Sequence, residues 1–173
     1  MKSRMTIFQL VPSLDGGRAS RSVAAIHRAL VSHGFIGAVI SKGGPFVSEI
    51  VSCGDHHLQD MQSRDPLTIP GRAAALSPLI EAVSPDVLHV HGCVPAWIAT
   101  FANRDLGIPM VSTLYRPYPD NAFSEVMFRV DHVIDDMTGA GLRAEMSDPA
   151  AVVDHTLAVY RDQGLLHQIV DRC

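Results

Sequence analysis

Short apolar runs alternate with stretches of helical periodicity along most of the chain, and this alternation restricts the fold more than any other feature. "MTIFQLV" at 5–11 reads as a buried strand, after which Ala19, Val23, Ile26 and Leu30 recur at helical spacing and Gly34 closes the helix. "FIGAVIS" is a second strand ending in the turn "KGG", and "PFVSEIVSC" a short helix; "HHLQDM" holds a third, weaker strand. Asp65 and Pro66 suit a helix start, with interruptions expected at Pro70 and Pro78 before the helix ends near Val83. "SPDVLHVHG" gives a turn and a strong fourth strand, "PAWIATFANRDLG" a helix and "IPMVSTLY" a fifth strand; "FSEVMFRV" and "DHVID" add a helix and a sixth. Strands that alternate with helices imply a parallel sheet covered on both faces with right-handed crossovers. The expected fold is a three-layer α/β, Rossmann-like domain of about six strands.

Composition narrows the function. A chain of 173 residues with 47% hydrophobic content can bury one full core. Its net charge of -4 argues against a general binder of nucleic acid or anionic membranes, which would show a basic excess. No apolar run approaches the length of a membrane span, and "MKSRMTIFQLVPS" lacks a small-residue cleavage site, so a cytoplasmic protein is expected. Cys53, Cys93 and Cys173 form an odd set without a C-x-x-C pair, which fits reduced thiols.

In an open parallel sheet the ligand crevice lies beyond the carboxyl ends of the strands. Four stretches fall there. In "LDGGRASRS", Gly16 and Gly17 between strand and helix let backbone N–H groups approach a phosphate or sugar hydroxyl, with the helix dipole in support. The spacing is not that of a dinucleotide fingerprint. Arg18 and Arg21 sit where a helix prefers acids; they either meet an anion or face water, and the apolar stripe on the opposite side of Arg21 and Arg28 favours water. In "HVHG", His89 and His91 share one strand face, but no third metal ligand accompanies them. His89 reads as a core residue, while His91, at the strand's end, can donate a hydrogen bond or act as a base. "STLYRPYPDN" offers Ser112, Thr113, Tyr115, Arg116, Tyr118 and Asn121 for stacking on and hydrogen-bonding a sugar, although turn chemistry accounts equally well for its prolines and Asp120. The acids of "RVDHVIDDMTGAG" (Asp131, Asp135, Asp136) read as structural, with Asp136, Thr138, Gly139 and Gly141 in a turn.

The segments "MTIFQLVPSLDGGRASRSVAAIHRALVSHGF", "VISKGGPFVSEI", "SPDVLHVHGCVPAWIA", "LGIPMVSTLY" and "DNAFSEVMFRVDHVI", in this order, resemble the N-terminal domain of family-4 (group 1) glycosyltransferases of the GT-B fold. The tail "MTGAGLRAEMSDPAAVVDHTLAVYRDQGLLHQIVDRC" is similar to the very end of the same enzymes, where a last helix crosses back onto the N-terminal domain. The resemblance implies an acceptor-side domain at 1–136, a helical tail at 137–173 packed on it, and transfer of a sugar from a nucleotide-sugar without a required metal or other cofactor. Most of the nucleotide-sugar domain has no counterpart here. Its Glu-x7-Glu motif is absent, since Glu49, Glu81, Glu125 and Glu145 have other spacings. Tyr115 stands where the family usually has a histidine after the fifth strand, and is a poorer base near neutral pH.

These readings name His91 and Tyr115 as candidate catalytic residues, and Gly16, Gly17, Arg18, Arg21, His91, Thr113, Tyr115, Arg116 and Asn121 as candidate ligand contacts. The leading expectation is a glycosyltransferase-like protein that transfers sugar only when a partner supplies the donor site. One alternative is a non-catalytic module that binds a sugar or a protein with the same fold; another is an unrelated Rossmann-type enzyme using Gly16, Gly17 and His91. Expected partners are a sugar or nucleotide-sugar and either a second copy or a chain carrying a donor domain.

Overall fold

A computed structural model describes residues 4–135 and 156–158. Five strand–helix units and a last strand follow one another: β1 (Thr6–Leu10), α1 (Arg18–Ser32), β2 (Ile36–Ser41), α2 (Val47–Val51), β3 (Asp55–Leu58), α3 (Ile69–Val83), β4 (Val87–Val90), α4 (Cys93–Ala102), β5 (Met110–Leu114), α5 (Ala122–Glu125) and β6 (His132–Asp135). The six strands form one sheet in the order β3-β2-β1-β4-β5-β6, and every neighbouring pair is parallel. Sequence order reverses between β1 and β4, where the diverging connections leave a crevice at the strands' carboxyl ends.

Strand alternation divides the core into two faces. Phe8, Leu10, Ala38, Ile40, Leu88 and Val90 pack with Leu76 and Ile80 of α3 and with Ala96, Ile98 and Ala99 of α4. On the other face, Ile7, Val87, Val111 and Ile134 join Ile26 and Leu30 of α1, while Val39 joins Val23, Ala24 and Ile50. Each fully buried Ile or Leu of this kind contributes about 1.5–3 kcal/mol. The periodic stripe of α1 is therefore its core face, and its end is fixed by Phe35 N–H donating to the Leu30 carbonyl (3.0 Å) and Gly34 N–H to that of Val31 (3.0 Å), a Schellman closure.

The elements depart from the sequence reading in three places. Pro70 occupies the first turn of α3, and Pro78 lies inside an unbroken helix. An internal proline costs about 3 kcal/mol, but Leu76 and Ile80 on either side of Pro78 are wholly buried and hold the helix to the sheet. The third strand lies at Asp55–Leu58, a little earlier than "HHLQDM" suggests. The helix read from "FSEVMFRV" stops at Glu125, because Val126 and Met127 are drawn into the core and the Ser112 hydroxyl donates to the Met127 carbonyl at 2.6 Å.

Beyond β6, the turn at Asp136, Thr138, Gly139 and Gly141, Cys173 and nearly all of the tail lie outside the described residues. Residues 156–158 are helical, and Leu157 is buried in the cluster of Ile7, Ile26, Val111 and Ile134. No helix among the described residues is long and apolar enough to cross a membrane.

Candidate functional site

The glycine loop between β1 and α1 satisfies itself. Asp15 accepts hydrogen bonds from Gly17 N–H (2.9 Å) and the Ser20 hydroxyl (3.0 Å) on one oxygen, and from the Ser13 hydroxyl (2.8 Å) on the other. These donors, the Gly17 amide foremost, hold its carboxyl below the usual aspartate value. The acid that a helix N-terminus favours is thus Asp15, placed just ahead of α1 rather than in its first turn. Gly16 packs over the Phe46 ring, and neither Gly16 nor Gly17 lines the crevice.

The arginines that follow divide. Arg21 is exposed and stands away from the crevice, as does Arg28, which pairs with Glu49 at 2.8 Å. Arg18 departs from the solvent-facing reading: its Nη1 donates to the Tyr115 carbonyl at 2.9 Å, and its side chain lines the crevice. A helical wheel cannot register a contact made to Tyr115, the residue that follows β5.

From the core to the crevice runs a buried polar column. Gln9 and His89 are register partners on β1 and β4, and both are shut off from solvent. His89 Nε2 and Thr113 Oγ1 lie 2.7 Å apart, the donor being set by the tautomer. The His89 ring lies against that of His91, with centroids 4.1 Å apart and planes tilted by 33°. His91 Nδ1 then lies 2.8 Å from the Tyr115 hydroxyl. Burial pushes the His89 imidazolium pKa down to about 3, and burial together with the neighbouring His89 pushes that of His91 well below its ordinary value. Both rings are neutral near pH 7. The Nε2 atom of His91 is buried with no hydrogen-bond partner among the described residues.

A crevice of about 860 Å³ opens where this column ends. It is lined by His91 and Gly92 from the end of β4, by Cys93 and Val94 of α4, by Tyr115, Arg116, Tyr118, Asn121 and Phe123 from the segment after β5, and by Arg18 of α1. Gln62 and Arg64, from the loop after β3, complete the rim. The Arg116 guanidinium lies 5.4 Å from the centre of the Tyr118 ring. The Asn121 carboxamide oxygen caps α5 by accepting from Phe123 and Ser124 N–H, each at 3.0 Å, so only its N–H₂ group remains for a ligand. Burial raises the Cys93 thiol above its ordinary value, and it stands as a thiol near neutral pH.

Of the residues expected at a site, the crevice thus gathers Arg18, His91, Tyr115, Arg116 and Asn121. It leaves out Gly16, Gly17 and Arg21; Thr113 is wholly buried within β5. Asp131 accepts from Met110 N–H at 2.8 Å and joins β5 to the start of β6, a structural role. Among the described residues, no group of three His, Cys, Asp or Glu side chains is arranged to hold a metal ion. Arg64, Gln62 and Cys93 were not singled out by the sequence; the rule that ligands gather beyond strand ends points to Arg64 and Gln62 once β3 is placed.

Comparison with known proteins follows the same lines. The sequence model of Glycosyltransferase Family 4 matches residues 16–167. No curated protein matches the chain's sequence significantly. Among solved structures, it is similar to a glycosyltransferase from Rickettsia africae (TM-score 0.58, 22% identity, 69% of this chain and 32% of that one). It is also similar to the lipopolysaccharide outer core galactosyltransferase WaaB (TM-score 0.62, 11% identity, 82% and 44%). A UDP-N-acetylglucosamine 2-epimerase from Rickettsia bellii shares the fold as well (TM-score 0.58, 13% identity, 90% and 48%). The chain spans less than half the length of each of these structures.

Proposed function

The chain belongs to glycosyltransferase family 4, and from that premise we propose that it forms the acceptor-side lobe of a sugar transferase, with the acceptor in the crevice at the ends of β1, β4 and β5. The observation that carries this reading is the convergence of His91, Tyr115 and Arg18 on one opening at the sheet's reversal point, where an α/β sheet of this order binds its ligands. Tyrosine faces and arginine forks suit a polyhydroxylated ring.

The glycine loop supports the division of labour. With the Gly17 amide already satisfied by Asp15, the loop has less to offer a donor diphosphate than its sequence suggests. In this reading the donor site comes from another polypeptide or another segment. The helical tail closes the lobe on the α1 face, a view supported by the burial of Leu157.

Calorimetric titration with nucleotide-sugars, paired with a turnover assay, tests the proposal. The chain alone should bind them weakly and turn nothing over, while adding a separately expressed donor lobe should bring transfer. Tight nucleotide-sugar binding with turnover by the chain alone would make it a complete enzyme and sink the proposal. Absence of turnover with every donor lobe tried would leave a binding module.

A further inference from the structure

Helix α4 begins at the crevice without a side-chain cap. Its N-cap is Gly92, which has no side chain to accept a hydrogen bond. The first bond of the helix runs from Ala96 N–H to the Gly92 carbonyl (3.0 Å), and Pro95 has no N–H to offer. The amides of Cys93 and Val94 are left at the head of a ten-residue helix, and apart from the Cys93 thiol no acceptor meets them among the described residues. Asp15 and Asn121 fill that role ahead of α1 and α5.

Water can serve an exposed helix end, so the amides alone do not identify a ligand. A second, independent feature does. His91, the residue before the N-cap, is only 2% exposed, and its Nε2 atom has no hydrogen-bond partner among the described residues. A buried polar atom left unpaired is costly unless something else meets it. Its Nδ1 atom is engaged by the Tyr115 hydroxyl at 2.8 Å, and when that O–H donates, the ring proton sits on Nε2. His91, Gly92, Cys93 and Val94 are consecutive and all line the crevice. One short stretch of chain therefore brings three N–H donors to the same end of the opening. The helix dipole adds partial positive charge there, and no aspartate or glutamate is among the described lining residues. A neutral hydroxyl must also give up its own proton to an acceptor; a negatively charged oxygen need not, and suits three donors better.

We propose that the acceptor carries an anionic oxygen group, a phosphate or a carboxylate, and that the Cys93 and Val94 amides and the Nε2–H of His91 hold it at the N-terminus of α4. This rests on the acceptor-lobe reading above and specifies its substrate class.

The test exposes the full chain to inorganic phosphate, acetate or uridine diphosphate, each against sodium chloride of equal ionic strength, and uses Cys93 as the reporter. Cys93 and Cys53 are both partly exposed thiols, and only Cys93 lines the crevice. An anion on the Cys93 amide covers the sulfur and disfavours its thiolate, so phosphate or acetate should slow alkylation of Cys93 by iodoacetamide about threefold. Cys53 should react at an unchanged rate, and peptide mass spectrometry reads the two separately. The stronger of the two protectors tells phosphate from carboxylate. Cys93→Pro removes one donor at the first helical position, where proline is tolerated, and Gly92 before it is already extended (ψ 162°). By calorimetry it should bind the anion about tenfold more weakly than Cys93→Ala, which keeps the amide. His91→Phe keeps a ring and loses the Nε2–H, and should weaken binding by a similar factor. Circular dichroism checks the fold of each, and the proline variant decides if the histidine variant does not fold.

The inference is overturned if neither phosphate nor acetate protects Cys93, if Cys53 is protected equally, or if Cys93→Pro binds as tightly as Cys93→Ala. Stronger protection by uridine diphosphate than by either would place the donor here and overturn it too. With an added donor lobe, transfer to neutral sugars as fast as to hexose phosphates and glucuronate would sink the anionic acceptor yet leave the acceptor-lobe reading standing, so the two fail separately.

Discussion

The glycine loop and the polar column at the ends of β4 and β5 lie on neighbouring strands, yet they treat their polar groups in opposite ways. In the loop, the Asp15 carboxylate takes up the Gly17 amide and two serine hydroxyls, so the region that looks most like a binding motif is closed by its own side chain. In the column, His89 bonds to Thr113 and His91 to Tyr115, the two imidazole rings lie against each other, and the Nε2 atom of His91 stands beside the crevice with no partner among the described residues. A glycine-rich turn before a helix is therefore not in itself a ligand site. What matters is whether the amides remain unclaimed.

The largest expected effect tests how rigidly the loop is closed. Gly44, in the turn after β2, lies directly beneath it, and a Cβ there would run into the Leu14 carbonyl while the backbone stays at φ +142°. Gly44→Ala should cost about 3 kcal/mol or more, combining overpacking with backbone strain. Gly92, at the mouth of the crevice, also has a positive φ (129°), but a Cβ there meets Pro12 only at an ordinary 3.5 Å. Gly92→Ala should cost less, about 1–2 kcal/mol of backbone strain alone. Urea unfolding of both variants measures the difference; equal losses would mean that the loop is no more tightly braced than the crevice.

Acid should separate the two regions by the pH at which each one yields. The folded pKa of His89 is depressed, so the unfolded chain binds more protons wherever the pH lies between about 3 and the ordinary 6.5. Its stabilising contribution is thus complete above 6.5 and declines as pH falls through that window. His91 beside it, and His27 on α1, are shifted in the same direction by burial. Stability should fall by up to about 1.4 kcal/mol per pH unit for each such histidine below pH 6.5. Asp15 behaves otherwise: its contribution is present above the ordinary carboxyl value of 3.8 and is lost only as pH drops below that. Chemical denaturation from pH 7 to pH 4 should accordingly steepen for the wild type and flatten in part for His89→Gln. An unchanged slope in that variant would show that the column does not set the acid sensitivity.

Much of the architecture was legible because it depends on patterns of apolar residues. Six strands, the apolar stripe of α1 and its closure at Gly34 all follow from periodicity and the special conformations of glycine. Pro78 escaped because its effect on α3 is outweighed by packing that only the folded sheet provides, through Leu76 and Ile80. At the crevice, His91, Tyr115, Arg116 and Asn121 could be found because they sit just past apolar strands. For Arg18 the choice between ligand and solvent stayed open, because its partner, the Tyr115 carbonyl, is 97 residues away in sequence. Arg64 was missed because β3 is short and half-exposed, which leaves its end hard to locate.

The smallest effect gives the comparison its sharpest form. Asp15→Ala removes the acceptor for three hydrogen bonds in an exposed loop, so it should destabilise the fold by only about 1 kcal/mol, near the cost of losing a helix cap. It should also release the Gly17 amide beside the positive end of α1, where an anion is favoured. Phosphate titration would then reveal a binding event that the wild type lacks, arising at the loop. If Asp15→Ala instead binds phosphate as the wild type does, the loop amides are not held back by the carboxylate, and self-satisfaction is not what silences the motif. Asp15→Asn distinguishes charge from hydrogen bonding: the carboxamide oxygen can still accept from Gly17 N–H, so that event should stay absent although the negative charge is gone.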